Sequence, residues 1–304
     1  GDVPLLDKVI SVEDSEYFDR DGSDEVYALI VSDLTFAANN LASKSDTDFG
    51  RATSGAAQGL LAKVHLTLGN YADAETLLSG LVEGTEYSLT SDYNDVFYSE
   101  GNDEILFAIP YIDDNANESQ DFSFEMTIGG VRSGLNFLTN DFLSSMDPAD
   151  TERNPVLKKG NTREVGKFVT QSADARFCGN DWIVLRHADI YLMLAEAIMG
   201  GGQSTQTLTA LESYNAVRDR VGLSTLPLDG TGTLTLDLLL AERRVELAFE
   251  NHRLFDLIRT GRTSVLESFA TANGLNFSNN DLLLPIPHEE INVSRGLLSQ
   301  NPEY

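Results

Sequence analysis

Three glutamates, Glu242, Glu246 and Glu250, recur at four-residue spacing and nearly stack along one side of a helix. Paired carboxylates so placed could do acid and base work on a glycosidic bond. The competing role is structural. Arg243, Arg244 and Arg253 lie one to three residues away and favour a salt-bridge lattice that holds the helix to its neighbours. Flanking arginines also lower carboxylate pKa values, the wrong direction for a general acid. The residues favour the lattice, with a helical glycosidase as the alternative.

Other chemistry-bearing groups are sparse. The histidines His65, His187, His252 and His288 show no metal-ligand spacing and no His-Glu-x-x-His pattern, so each reads as a hydrogen-bonded structural group. There is no Gly-x-Ser-x-Gly elbow, phosphate-binding glycine loop or dinucleotide fingerprint. Asp19-Arg-Asp-Gly22 and Asp113-Asp-Asn-Ala-Asn117 carry oxygen ligands suited to calcium, without the full spacing of a helix-loop-helix site. Calcium is the one cofactor these groups suggest. The single cysteine, Cys178, cannot form an internal disulfide and reads as a small buried hydrophobe.

Aromatic rings give a better lead. Tyr111, Phe122, Phe124 and Phe137 occur in polar, glycine-bearing loops beside Arg132 and Asn136. Sugars present flat C–H faces that lie against such rings, while their hydroxyls meet amides and guanidinium groups. These six are the candidate contact residues, against the bland alternative that half or more of the rings are core. Trp182, the only tryptophan, lies in an apolar run and reads as packing.

Helical periodicity supplies the elements that would position these groups. Val26, Ile30, Leu34, Ala37 and Leu41 share one face of a helix over about 23–41, which Ser23 can cap. Ala52, Ala56, Leu60, Val64 and Leu68 form a second stripe, and a Leu-Gly-x-Tyr turn at 68–71 leads into a helix through Val82. This pair resembles one tetratricopeptide unit. Residues 85–180 break the pattern: a strand over 104–109, a short helix over 139–146 and a strand over 167–169 stand among long irregular segments, which in compact proteins often carry function. Asp181 can cap a central helix over 182–199, and a partner helix over about 205–221 stops at Gly222. Helices follow over about 235–250 and 263–272. Two prolines predict that Leu282 to Ile291 is extended.

Composition narrows the function classes. Lys+Arg 21 against Asp+Glu 48 gives a net charge of −27, which repels nucleic-acid phosphates and anionic lipid surfaces. A neutral or cationic ligand suits this body better. At 304 residues the chain can bury a large core. No run approaches the ~18 apolar residues of a membrane span. No signal peptide is present, and Gly1-Asp-Val-Pro-Leu-Leu6 does not read as a natural start.

Several segments, in order, resemble the SusD/RagB family of outer-membrane nutrient-binding lipoproteins. They include Gly1-Asp-Val-Pro-Leu5, Gly50-Arg-Ala-Thr-Ser-Gly-Ala-Ala-Gln-Gly-Leu-Leu-Ala62 and Asn102-Asp-Glu-Ile-Leu-Phe107. Asp147 and Arg153 resemble an Asp-x-Arg motif at longer spacing. Asp181 to Glu196, Asn215 to Gly222 and Glu242 to Gly261 follow, then Leu284-Pro-Ile-Pro287 and Gln300-Asn-Pro-Glu-Tyr304.

The resemblance implies a mainly α fold: tetratricopeptide-like helix pairs form a right-handed scaffold, with an irregular loop-rich insertion and a few short strands. It implies one SusD-like domain over 1–304, with a first helix pair in 21–84, a ligand-binding insertion in 85–180, and a second helical region and extended tail in 181–304. It implies non-catalytic capture of oligo- or polysaccharide at the cell surface, for delivery to a SusC-like TonB-dependent transporter. Attachment to the outer membrane would run through a lipid anchor on an upstream segment, which is absent here together with the family's first helices. A peptide-binding member of the same fold is the alternative.

Overall fold

The computed structural model describes residues 1–11, 19–113, 117–127, 137–170, 172–294, 296–302 and 304. The helices are α1 (Ser23–Asn40), α2 (Ser54–Leu68), α3 (Tyr71–Glu83), α4 (Asp95–Tyr98), α5 (Phe122–Met126), α6 (Asn140–Ser145), α7 (Arg153–Leu157), α8 (His187–Met199), α9 (Leu208–Arg220), α10 (Leu236–Glu246), α11 (Arg253–Arg259), α12 (Thr263–Ala272) and α13 (His288–Val293). The strands are β1 (Ile105–Ile109), β2 (Trp182–Arg186), β3 (Ser204–Thr205) and β4 (Leu234–Thr235). The fold is mainly α. The chain forms two compact units, Thr35–Arg253 and Gly1–Leu34 with Leu254–Tyr304.

In the larger unit, sequence and structure agree where periodicity is strong. Thr53 caps α2, its hydroxyl accepting from the Ala56 N–H at 3.1 Å. Gly69, at φ 75°, ends it in the left-handed conformation that costs glycine least. Helix α8 has almost no polar face because it is packed on two sides. Ile190, Met193, Leu194 and Ala197 meet residues of α2 and α3. Ala188, Leu192, Ala195 and Met199 meet α9 and α10. A third core gathers Tyr93, Phe97, Ile105, Leu157, Phe168 and Ile183 beneath the irregular region.

Four expectations are corrected. Residues 182–186 are not the first turn of the central helix: they form β2, antiparallel to β1, with Trp182 opposite Ile109 and Arg186 opposite Ile105. The apolar run Trp-Ile-Val-Leu has no period that separates a buried strand from a buried helix. Residues 167–169 are not a strand, because Phe168 sits fully buried at φ 66°, outside extended space. Helix α10 stops at Glu246, and the left-handed Phe249 and Asn251 turn the chain before residue 253. Finally, Leu283 to Pro287 is extended, but His288 opens α13.

The smaller unit is tied by its termini. Arg20 donates to the Asp2 carbonyl at 2.8 Å and to Asn301 Oδ1 at 2.6 Å. Asn301 and Gln300 in turn bond the backbone of Leu284 and Ile286. Helix α1 begins where its pattern predicts, but its apolar stripe is only half-buried.

Candidate functional site

The stacked glutamates are held in ion pairs. Glu246 and Glu250 are buried, and with Glu104, Asp150 and Glu242 they face Arg153, Lys167, Arg186, Arg218 and Arg220 in one connected network, five carboxylates against five cations. Arg153 Nη1 meets Glu246 at 3.0 Å, Arg186 Nε meets Glu250 at 2.8 Å, and Lys167 Nζ meets Glu250 at 2.6 Å. Burial alone would raise these carboxyl pKa values. The adjacent guanidinium groups reverse that and hold Glu246 well below the usual range and Glu250 at about 2. Such groups stay ionised, paired and buried. The lattice exists, but its cations come from distant segments rather than from the neighbouring Arg243, Arg244 and Arg253. Arg243 instead pairs Asp189 at 2.8 Å, and Arg244 pairs Asp141.

The histidines are structural. His252 Nδ1 lies 2.8 Å from Lys63 Nζ, and burial lowers its pKa to about 4. It is the neutral ring that accepts this bond. His187 departs from expectation. It packs by ring face, 4.9 Å from Tyr191 and 6.2 Å from Tyr87, and neither ring nitrogen meets a partner among the described residues. Cys178 is fully buried, as its type predicts, with Sγ 3.0 Å from Asn180 Oδ1. Of the two calcium-suited loops, 114–116 lie outside the described residues, and Asp21 accepts from the Leu5 N–H at 2.9 Å.

The six candidate contact residues separate. Tyr111 lines an open groove of about 680 Å³. Phe122 does not line it: its ring lies 4.7 Å from Trp182 and 5.8 Å from Phe168, in the third core. Phe124 carries the Arg176 guanidinium 3.6 Å over its ring, so one face is already covered. Phe137 is half-buried elsewhere. Arg132 and Asn136 lie outside the described residues.

The groove is built by four segments of the larger unit. Ile105 and Ile183, from paired strands, form its floor. Val96 to Tyr98 of α4 and the following Ser99-Glu100 make one wall. Phe49 and Pro110 to Asp113 make the rim, and Gly179 to Asp181 the far side. Asp181 Oδ1 accepts the Tyr111 N–H at 3.1 Å, and Asn180 Nδ2 donates to the Phe97 carbonyl at 3.0 Å. Gly179 permits the close approach: a Cβ there would stand 2.8 Å from the Asp113 nitrogen. Partial burial, with Glu100 adding like charge, raises the Asp181 carboxyl to about 6.

Three half-buried rings, Phe49, Tyr98 and Tyr111, therefore share one concave surface with carboxylates and an amide. The Tyr98 hydroxyl is held, donating to the Gly166 carbonyl at 3.1 Å and accepting from the Val169 N–H at 3.0 Å, which fixes its ring. Sequence reasoning missed Phe49 and Tyr98. The available signal was their position beside Gly50 and Gly101, both left-handed, with Gly101 packed on the Phe49 ring.

Comparison with known proteins places this architecture. A SusD-like protein from Bacteroides ovatus is 27% identical over 306 residues, aligning 85% of this chain with 55% of the relative. This chain thus spans about half that relative's length. Among solved structures, one bound to a xylogluco-oligosaccharide superposes with a TM-score of 0.82 at 22% identity, over 98% of this chain and 76% of that one. Surface glycan-binding protein A from Bacteroides thetaiotaomicron, in complex with laminarihexaose, superposes with a TM-score of 0.76 at 23% identity, over 93% and 72%. At these identities the likeness is one of fold. The sequence model of the SusD family matches residues 139–304, more than half of the chain, which includes Glu242, Glu246, Glu250 and the terminal Asn-Pro motif. The chain belongs to the SusD family.

Proposed function

We propose that this protein captures glycan chains at the cell surface, without chemistry, and presents them to a SusC-like TonB-dependent transporter of the outer membrane. The observation that carries this reading is the groove: three half-buried aromatic rings line one open surface of about 680 Å³, a form that suits the stacking of sugar rings. Relatives of the same fold have been solved with a xylogluco-oligosaccharide and with laminarihexaose, which supports the ligand class. The ion-paired state of Glu242, Glu246 and Glu250 supports a non-catalytic role. No helix among the described residues is long and apolar enough to cross a membrane; membership of the SusD family supports attachment to the outer membrane through a lipid anchor.

Affinity electrophoresis against neutral and acidic polysaccharides tests the reading. Retardation by at least one glycan, lost in Tyr111→Ala/Phe49→Ala, is the expected result. Failure of every glycan to retard the protein would shift the assignment to peptides. One observation favours that second reading: Glu100, Asp113 and Asp181 would attract a cationic peptide, whose binding would fall steeply with salt.

A further inference from the structure

The groove has a charge pattern that a general sugar platform does not require. Glu100, Asp113 and Asp181 line it, and among the described residues no lysine, arginine or histidine does. All three carboxylates belong to the same lining as the Phe49, Tyr98 and Tyr111 rings. Asp181 is held beside the Tyr111 backbone by accepting its N–H at 3.1 Å. The body behind the groove reinforces the pattern, with a net charge of −27. The Lys167 that sits 4.0 Å over the Phe97 ring is paired with Glu250. Lys44 and Arg51 line a separate, smaller cavity of about 170 Å³ that shares Phe49 with the groove. There Lys44 is engaged with the Asn102 carbonyl at 2.7 Å, while Arg51 is exposed.

Resting on the glycan-binding reading, we infer that Glu100, Asp113 and Asp181 make the groove a charge filter that accepts glycans without negative substituents and excludes those bearing uronate or sulfate. Two like charges brought together in a half-buried groove repel strongly, because the solvent that would screen them is displaced by the ligand itself. A neutral sugar hydroxyl meets the same carboxylates as a hydrogen-bond donor. One set of groups thus both holds the accepted ligand and rejects the charged one. A polyanion would also approach more slowly, through the field of the whole molecule.

The test uses the full chain and matched ligands. Laminarin, mannan, starch and xyloglucan are compared with alginate, polygalacturonate and carrageenan by affinity electrophoresis and calorimetry. The tightest neutral binder is then measured against its own derivative with the primary C6 hydroxyls oxidised to carboxylates. The oxidised form is expected to bind at least about tenfold more weakly, with a gap that narrows as salt rises. In Glu100→Gln/Asp113→Asn/Asp181→Asn the amides keep an acceptor oxygen but lose the charge, so neutral affinity should weaken while the ratio of neutral to oxidised affinity shrinks severalfold. Tighter binding of any of the acidic polysaccharides than of the neutral ones overturns the filter and leaves glycan binding standing. Loss of that acidic binding in Arg51→Ala would then place the anion site in the smaller cavity. An unchanged gap in the triple variant overturns the assignment to these three residues. Retention of no glycan at all overturns the reading on which the filter rests.

Discussion

Arg186 donates through Nη1 to Glu246 Oε1 at 2.6 Å, with both side chains wholly withdrawn from solvent. The same guanidinium reaches Glu104 at 2.7 Å and Glu250 at 2.8 Å, so one strand residue binds three carboxylates from two other segments. Removing one member leaves its partners charged and dry. Glu246→Ala is expected to destabilise the fold by about 3–5 kcal/mol in chemical denaturation. A loss under about 1 kcal/mol would mean the lattice is far wetter than it stands here.

The lattice also fixes an acid limit. Glu250 titrates at about 2 in the fold and near 4.5 when free. A carboxylate with a depressed folded pKa contributes stability above its unfolded value and loses it as pH falls toward the folded value. Stability should therefore drop between about pH 4.5 and pH 2. Glu250→Gln should be less stable at pH 7 and should show a flatter profile across that window in urea melts.

Asp181 should behave in the opposite sense. Its pKa rises from 3.8 to about 6, so its contribution is greatest below 3.8 and disappears as pH climbs through 6. Asp181→Asn keeps an acceptor for the Tyr111 N–H and removes the charge. The difference in Tm between variant and wild type should grow in the variant's favour from pH 4 to pH 7. A difference that does not vary with pH would place Asp181 in ordinary solvent.

Tyr111 and Phe122 were indistinguishable by residue type, and their environments now separate them. Tyr111→Ala should weaken the retained glycan at least about tenfold with little change in Tm, because a ligand-contacting ring carries binding energy rather than fold energy. Phe122→Ala should do the reverse. It opens space against Trp182 and Phe168 and should cost about 2 kcal/mol of stability, while the folded fraction keeps its affinity.

Gly179→Ala tests the rim without touching a ring or a charge. The added Cβ would stand 2.8 Å from the Asp113 nitrogen and 3.0 Å from its Cβ, so the 110–113 segment must shift. Glycan affinity should fall severalfold by calorimetry. Unchanged affinity would show that the rim position does not matter to binding.

How much of this was legible in the sequence follows from the range of each interaction. Helices α2, α3, α9 and α12 rest on local period, with Thr53 capping α2, and they appear near their expected bounds. The strand β2 was hidden because its reason for being a strand, β1, lies some eighty residues earlier in the chain. The partners of the glutamates were hidden for the same reason: adjacency in sequence pointed to Arg243 and Arg244, whereas the cations arrive from α7, α9, β2 and Lys167. For the groove, Tyr111 could be named from its loop, but Phe49 and Tyr98 join it only through tertiary approach. The family itself was readable because its motifs are mostly these scaffold residues.

The five-against-five network has a consequence for how the scaffold comes apart. Its members are drawn from segments spread over residues 104–250, and each is electrically balanced only when all the others are in place. A partly opened form would strand bare charge in an oily interior, so such forms should be scarcely populated. The larger unit should resist proteases until it gives way in one concerted step. Segments such as 110–113, which contribute nothing to that balance, can change in sequence without loosening the network.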